Sequence, residues 1–223
     1  MPQVFLWRML KRLHHWLNCA DSASRADLIF VLAGSQCRKS YGLELLRQKL
    51  APQVLLSTSR FEVRRLATLD LPRKFDLLKM VKNVAPQQRH FFVSVTRQEI
   101  QAQRISRGKF GTLSEIYALA EWLRERPQIT SLSILSSGNH LRRLRICCRA
   151  ILSENMRVQF LRVPESSFFV NGENWWLDKQ ARRMLLGELF KIACYSVLLR
   201  VDTIVPRSRA ELLEIVHPSV RVQ

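Results

Sequence analysis

Acidic residues are scarce in this chain, with 18 aspartates and glutamates against 36 lysines and arginines, which gives a formal net charge of +18 at pH 7. Such an imbalance predicts an anionic partner: a nucleic acid, an anionic membrane surface or a phosphorylated small molecule. Most of the basic residues are arginines, whose guanidinium groups favour planar, bidentate contact with phosphate or carboxylate. A charge spread over solvated helix faces is the alternative explanation.

Paired cysteines and the common catalytic motifs are also missing. The 5 cysteines stand at positions 19, 37, 147, 148 and 194, and no pair has the spacing of metal ligands. We expect reduced, mostly buried thiols in a cytoplasmic protein, and no metal site. No Walker loop, G-x-S-x-G elbow or H-E-x-x-H motif is present, so the P-loop, serine-hydrolase and zinc-protease classes are disfavoured. Whether the protein is an enzyme stays open.

No segment is long and apolar enough to span a bilayer, because the late apolar run at 192–205 is interrupted by Arg200 and Asp202. Residues 1–26 are predicted to form an amphipathic helix and a connector. The apolar side of that helix is formed by Phe5, Leu6, Met9, Leu13, Trp16 and Leu17. We favour packing of this helix on the domain. Its tryptophans and basic residues leave peripheral contact with a membrane as the alternative.

Strand and helix patterns alternate over residues 27–205, which we predict to be one α/β domain followed by a C-terminal tail at 206–223. The expected strands are 27–32, 53–57, 91–95, 132–135 and 156–163. The expected helices are 41–50, 75–84, 113–126, a basic helix ending near 152, and 175–199 with a division at Gly187. Residues 98–111 are predicted as a loop or a short helix. The alternation predicts a Rossmann-like three-layer sandwich with a mostly parallel, doubly wound sheet.

Small polar residues follow nearly every predicted strand. Ligands of doubly wound sheets bind at the carboxyl ends of the strands, where small residues let backbone N–H groups approach an anion. The candidate ligand-binding residues are Gly34, Ser35, Arg38, Ser57, Thr112, Glu115, Ser136, Ser137, His140 and Arg143. Thr96 is expected at the same edge of the sheet.

Two pairs among these candidates suggest specific roles. His140 and Arg143 are three residues apart on the basic helix and therefore share a face. His140 fits either a general acid or base or a helix cap. Thr112 fits an N-cap with Glu115 completing a capping box. Glu115 could instead bind a ligand hydroxyl or hold an arginine at the site.

The order of these pieces resembles the bacterial domain of unknown function found in YdcF, SanA and ElyC proteins. The matching segments are ADLIFVLAG with Arg38 beyond it, PQVLLSTS, GTLSEIYALAEWL, SILSSGNHLRRL and GELFKIACY. The resemblance places polar positions of the family at Thr112, Glu115, Ser136, His140 and Arg143, and on the closing helix at Glu188, Lys191 and Tyr195. It implies a link to cell-envelope precursor metabolism, and S-adenosylmethionine as the ligand of one branch.

The resulting hypothesis is an α/β protein, cytoplasmic or peripheral to a membrane, that binds a phosphorylated or nucleotide-like small molecule at the strand ends. S-adenosylmethionine is included among these ligands by resemblance alone. Two alternatives stay open: a basic nucleic-acid-binding protein, for which no helix-turn-helix pattern is present, and a peripheral membrane adaptor.

Overall fold

A six-stranded sheet organises the chain in the computed structural model, which describes residues 2–73, 75–105, 111–164 and 175–204. The strands are β1 (Leu28–Val31), β2 (Gln53–Thr58), β3 (Phe91–Thr96), β4 (Ile100–Arg104), β5 (Ser131–Ser136) and β6 (Arg157–Arg162). The helices are α1 (Pro2–Leu17), α2 (Gln36–Arg47), α3 (Leu77–Val81), α4 (Gly111–Arg124), α5 (Leu141–Ile151) and α6 (Lys179–Ile204). The predicted tail at 206–223 lies outside the described residues.

The strand order across the sheet is β4-β3-β2-β1-β5-β6. Strands β2, β1, β5 and β6 are mutually parallel, whereas β3 and β4 are added antiparallel at one edge. The predicted α/β fold with a mostly parallel sheet is therefore confirmed, and it is compatible with a Rossmann-like fold. From β1 the chain moves to β2 on one side and later reaches β5 on the other, so the order reverses between β1 and β5.

The central strand β1 is buried because its side chains belong alternately to two apolar clusters. Leu28 and Phe30 belong to an apolar cluster that includes side chains of α4 and α5. Ile29 and Val31 belong to a second cluster that includes side chains of α2. Four consecutive apolar residues are thereby removed from water, which explains why β1 lacks the alternation of a half-exposed strand.

Two expectations about the sheet are wrong. Strand β3 is antiparallel to β2, and its residue Thr96 pairs with Gln53 at the amino end of β2, so Thr96 lies at the opposite edge from the other strand ends. Within the segment predicted as a loop or short helix, residues 100–104 form β4 instead. This edge strand is largely exposed, so no buried apolar pattern marks it in the sequence.

Helix starts and ends also differ from the prediction. Helix α2 begins at Gln36, five residues before the start that the apolar stripe predicted. Ser35 is its N-cap and accepts a hydrogen bond from the backbone N–H of Cys37 at 3.3 Å. Helix α4 begins at Gly111, so Thr112 lies inside the first turn and is not an N-cap. Helix α6 continues through Gly187 without a division.

Helix α1 packs on the domain through one face. Leu17 is fully buried in an apolar cluster with Trp175 and Leu185, and Leu10 and Leu13 pack against that cluster. The wider apolar stripe predicted for this helix is wrong in part, because Met9 is 53% exposed and Trp16 is 43% exposed. None of the described helices combines the length and apolar character needed to cross a bilayer.

The cysteines are less buried than expected. Cys147 and Cys148 of α5 are buried, and burial raises the pKa of the Cys147 thiol to about 12. Cys19 and Cys194 are half-buried, and Cys37 is exposed on α2. Cys37 lies in the first turn of α2, on the solvent side of the helix. A single cysteine in a polar segment gives no sequence signal for this exposure.

Candidate functional site

A cavity of about 540 Å³ lies at the carboxyl ends of β1 and β5, where the strand order reverses. Helices α2, α4, α5 and α6 all contribute to its wall. We call it the strand-end cavity, and its lining residues are Leu32, Ala33, Gly34, Arg38, Gly111, Thr112, Glu115, Ser136, His140, Arg143, Leu144, Phe190, Lys191, Cys194 and Tyr195. The reversal point is the position at which open α/β sheets bind their ligands.

Arg38 of α2 is a fixed positive charge in this wall. Its Nε donates to Ser137 Oγ at 3.1 Å and its Nη1 donates to the backbone carbonyl of Ala33 at 2.9 Å. The residue is only 8% exposed, and this burial lowers its pKa, but an arginine stays protonated at physiological pH. Among the described residues, no carboxylate lies within ion-pair distance of its guanidinium group, so the charge is held in place without a direct counterion.

Gly34 allows this arrangement. Its φ of +131° lies in a region that side-chain-bearing residues rarely adopt, and a Cβ atom here would be 3.1 Å from Nη1 of Arg38. The absence of a side chain therefore lets the guanidinium group lie against the backbone at the end of β1.

The neighbouring Lys39 shows how a buried cation is neutralised elsewhere in the fold. Its Nζ forms an ion pair with Glu62, which also accepts a hydrogen bond from Ser59 Oγ at 2.5 Å. Lys39 is 2% exposed, and burial lowers its pKa while Glu62 opposes that shift. This pair belongs to the packing of α2, and neither member lines the strand-end cavity.

Glu115 ties α4 to the ends of two strands. Its Oε1 accepts hydrogen bonds from the backbone N–H of Ala33 at 3.0 Å and from Ser57 Oγ at 2.5 Å. The capping-box role predicted for Glu115 is wrong, because the helix begins at Gly111 and the carboxylate points to the sheet. Ser57 accordingly supports Glu115 beneath the cavity and does not line it.

Replacing Glu115 with alanine should lower the free energy of unfolding by about 2–4 kcal/mol, because the half-buried N–H of Ala33 and the buried hydroxyl of Ser57 lose their acceptor. Glu115→Gln keeps a carbonyl oxygen at the same position and should recover about half of that loss. Urea unfolding followed by circular dichroism measures both variants. Equal stability of Glu115→Ala and the unmodified protein would contradict this role.

Glu188 of α6 is the centre of a buried ion cluster beside the cavity. It is 2% exposed, and its Oε1 accepts from Lys191 Nζ at 2.8 Å. Its Oε2 lies 3.1 Å from Nε of Arg143 and 3.1 Å from Nδ1 of His140. Burial by itself raises the pKa of this carboxyl, but His140, Arg143 and Lys191 outweigh burial and lower the pKa to about 2. Glu188 is therefore ionised at any physiological pH.

His140 also lies 3.0 Å, through Nδ1, from Nη2 of Arg143. The role of Nδ1 depends on the tautomer: it accepts from Arg143 when it is unprotonated and donates towards Oε2 of Glu188 when it carries the proton. Burial lowers the pKa of His140, the nearby Glu188 opposes the shift, and Arg38 and Arg143 reinforce it. The net effect of these groups favours the neutral imidazole.

The balance of fixed charge around the cavity is positive. The cations Arg38, Arg143 and Lys191 face the carboxylates of Glu115 and Glu188, which leaves an excess of one positive charge. Both carboxylates already have partners in the fold: Glu115 binds the strand ends, and Glu188 binds α5 and its own helix. Arg38 is the cation of this set that has no ion-pair partner among the described residues.

The predicted site residues occupy two different layers. The residues that line the cavity are Gly34, Arg38, Thr112, Glu115, Ser136, His140 and Arg143. Ser35, Ser57 and Ser137 lie behind that lining, as a helix cap, a partner of Glu115 and a partner of Arg38. Ser136 is fully buried, and its Oγ has no hydrogen-bond partner among the described residues.

Helix α6 supplies a wall that the strand-end pattern does not predict. Phe190, Lys191, Cys194 and Tyr195 line the cavity, and Glu188 anchors Arg143 behind it. In the sequence, only the family resemblance indicates that this helix contributes to the site, because it places polar positions at Glu188, Lys191 and Tyr195. In the part of the chain that the structure describes, no group of three His, Cys, Asp or Glu side chains is placed to hold a metal ion.

Comparison of the chain with protein-family models, with curated proteins and with solved structures finds no match. The resemblance to the YdcF, SanA and ElyC domain therefore stays a prediction from the motifs.

Proposed function

We propose that this protein binds an anionic small molecule, phosphorylated or nucleotide-like, in the strand-end cavity. The observation that carries the proposal is Arg38: a buried guanidinium group, fixed by two hydrogen bonds at the end of β1, with no carboxylate of the described residues paired to it. Holding such a charge away from water is costly unless an anion compensates it.

The neighbouring groups suit a phosphate. The Oγ of Ser136 is a buried hydroxyl that has no hydrogen-bond partner among the described residues, and the ring of His140 lines the same cavity. Guanidinium and hydroxyl donors around one oxyanion form short, charge-assisted hydrogen bonds. The volume of about 540 Å³ is in the range of small-molecule sites.

The position in the fold supports the same conclusion. We take the sheet with its helices as a Rossmann-like three-layer sandwich, in which the reversal between β1 and β5 is the expected ligand position. By its resemblance to the YdcF-like family, the ligand class extends to S-adenosylmethionine and to anionic precursors of the cell envelope. A cytoplasmic or membrane-peripheral location belongs to this proposal.

A thermal-shift comparison tests the proposal. Inorganic pyrophosphate, a nucleoside diphosphate and S-adenosylmethionine are compared with adenosine, which lacks an anionic group, at constant ionic strength. A ligand at one hundred times its Kd stabilises the folded state by about 2.7 kcal/mol, so at least one anionic compound should raise Tm in a saturable manner. Equal shifts with adenosine, or no shift with any compound, would refute the proposed function.

A further inference from the structure

We infer that the outer face of α1 binds an anionic lipid surface. This outer face consists of the exposed residues Trp7, Arg8, Met9, Lys11, Arg12 and Trp16. The inference concerns a different surface from the strand-end cavity and does not depend on the proposed ligand.

The outer face exists because α1 is already held by its inner face. Leu10, Leu13 and Leu17 lie on one side of the helix and pack against the cluster around Trp175 and Leu185. At 100° per residue, Arg8 and Arg12 then lie on the opposite side, directed away from the domain. A helix anchored in this way rests along the molecular surface and can meet a plane along its length.

The composition of the outer face matches a membrane interface. Helix α1 contains no acidic residue, and Arg8, Lys11 and Arg12 are all exposed. Trp7 is 53% exposed and Met9 is 53% exposed, so large apolar side chains accompany the positive charges. Basic residues that alternate with tryptophan and other apolar groups are typical of helices that lie in the headgroup region of anionic bilayers.

The positive surface continues beyond α1. Arg142 of α5 places its guanidinium carbon 4.6 Å from the ring centre of Trp16 and donates from Nε to the backbone carbonyl of Trp16 at 2.9 Å. A guanidinium group from α5 therefore lies over the exposed indole of Trp16. Positive charge next to exposed apolar side chains favours a lipid surface over nucleic acid. The phosphates of nucleic acid attract the charge, but they offer no apolar phase for an exposed methionine to enter.

The C-terminal end of α1 lies close to the turn that carries His140 of the strand-end cavity. Asn18, which follows α1 directly, contacts the turn that carries His140, because a Cβ atom on Gly138 would lie 2.5 Å from Asn18 Oδ1.

Vesicle co-sedimentation tests the inference with the full chain. The vesicles contain equal parts of phosphatidylcholine and phosphatidylglycerol, and phosphatidylcholine alone serves for comparison. Neutralising two exposed arginines in Arg8→Gln/Arg12→Gln should lower the partition coefficient on the anionic vesicles by about 30-fold. The matched control, Arg64→Gln/Arg65→Gln, removes the same charge from exposed positions outside α1 and should change it less than about threefold.

A second variant separates the apolar contribution. Trp7→Ser leaves the charge intact and should weaken binding to the anionic vesicles by about tenfold, because the indole no longer enters the interface. The inference is overturned if the unmodified protein does not bind the anionic vesicles, if both double variants lose binding equally, or if Trp7→Ser binds unchanged. Retention of a random DNA duplex that depends on Arg8 and Arg12, without vesicle binding, would assign the outer face to nucleic acid instead.

Discussion

Replacing Glu188 with glutamine should lower the free energy of unfolding by about 3 kcal/mol at pH 7. A pKa of about 2 in place of the ordinary 4.5 means that the folded state favours the ionised carboxylate by about that amount. Glutamine keeps the shape of the side chain but leaves Arg143 buried without its counterion. Removing one member of a buried pair typically costs about 3–5 kcal/mol, which agrees with the value from the pKa.

The same carboxylate gives the stability a defined pH dependence. The pKa of Glu188 is depressed in the folded state, so its contribution is complete above about pH 4.5 and is lost as the pH falls towards about 2. His140 causes a further loss of stability at higher pH. Burial lowers its pKa below 6.5 in the folded state, so the unfolded state binds a proton first as the pH falls through 6.5, and the folded state loses stability. Glu188→Gln should therefore flatten the lower part of the acid limb and enlarge the upper part, because His140 loses the carboxylate that opposes the lowering of its pKa.

Urea titrations at several pH values measure both effects. Glu121→Gln, an exposed replacement on α4, is the matched control and should stay within about 0.5 kcal/mol of the unmodified protein at every pH. If Glu188→Gln is as stable as this control and keeps the full acid limb, the ion cluster does not stabilise the fold.

Replacing Arg38 with methionine should weaken the binding of pyrophosphate by about 100-fold or more. The loss corresponds to two charged hydrogen bonds from one guanidinium group, each worth about 1.5–3 kcal/mol. Arg38→Lys keeps the positive charge but not the planar fork, so its binding should fall by about tenfold. Isothermal titration calorimetry gives the Kd of each variant.

Arg47→Met is the control for this series. Arg47 lies on the same helix α2, is exposed, and pairs with Glu44 and Asp70 outside the strand-end cavity. Its replacement removes the same charge from the molecule and should leave the Kd within about twofold. Equal weakening by Arg38→Met and Arg47→Met would mean that only the overall charge of the protein attracts the anion.

The central strands could be predicted from the sequence, whereas the direction of β3 could not. Strands β1, β2 and β5 are short apolar runs that end in small polar residues, and those local signals coincide with their position in the sheet. The run that forms β3 is equally apolar and buried, so its composition does not distinguish an antiparallel neighbour of β2 from a parallel one. The direction of β3 depends on the connection between β2 and β3, and the sequence of that connection has no strong helix or strand pattern.

The candidate site shows a similar division. Residues next to strand ends, such as Gly34, Ser136 and His140, could be assigned to one edge because the topology of a parallel sheet brings strand ends together. Whether a serine lines a cavity or supports another side chain depends on distances of a few ångströms, and Ser57 and Ser136 look alike in sequence. The contribution of α6 is a long-range contact between Arg143 and Glu188, for which no local periodicity gives a signal.

The most direct measurement is a crystal structure of the protein soaked in tungstate, a heavy-atom analogue of phosphate, with the anomalous signal used to locate the anion. We predict a tungsten peak in the strand-end cavity within hydrogen-bonding reach of Arg38 and Ser136, which is lost in Arg38→Met. Tungstate found only on exposed arginines, with the guanidinium group of Arg38 unoccupied at saturating concentration, would contradict the account.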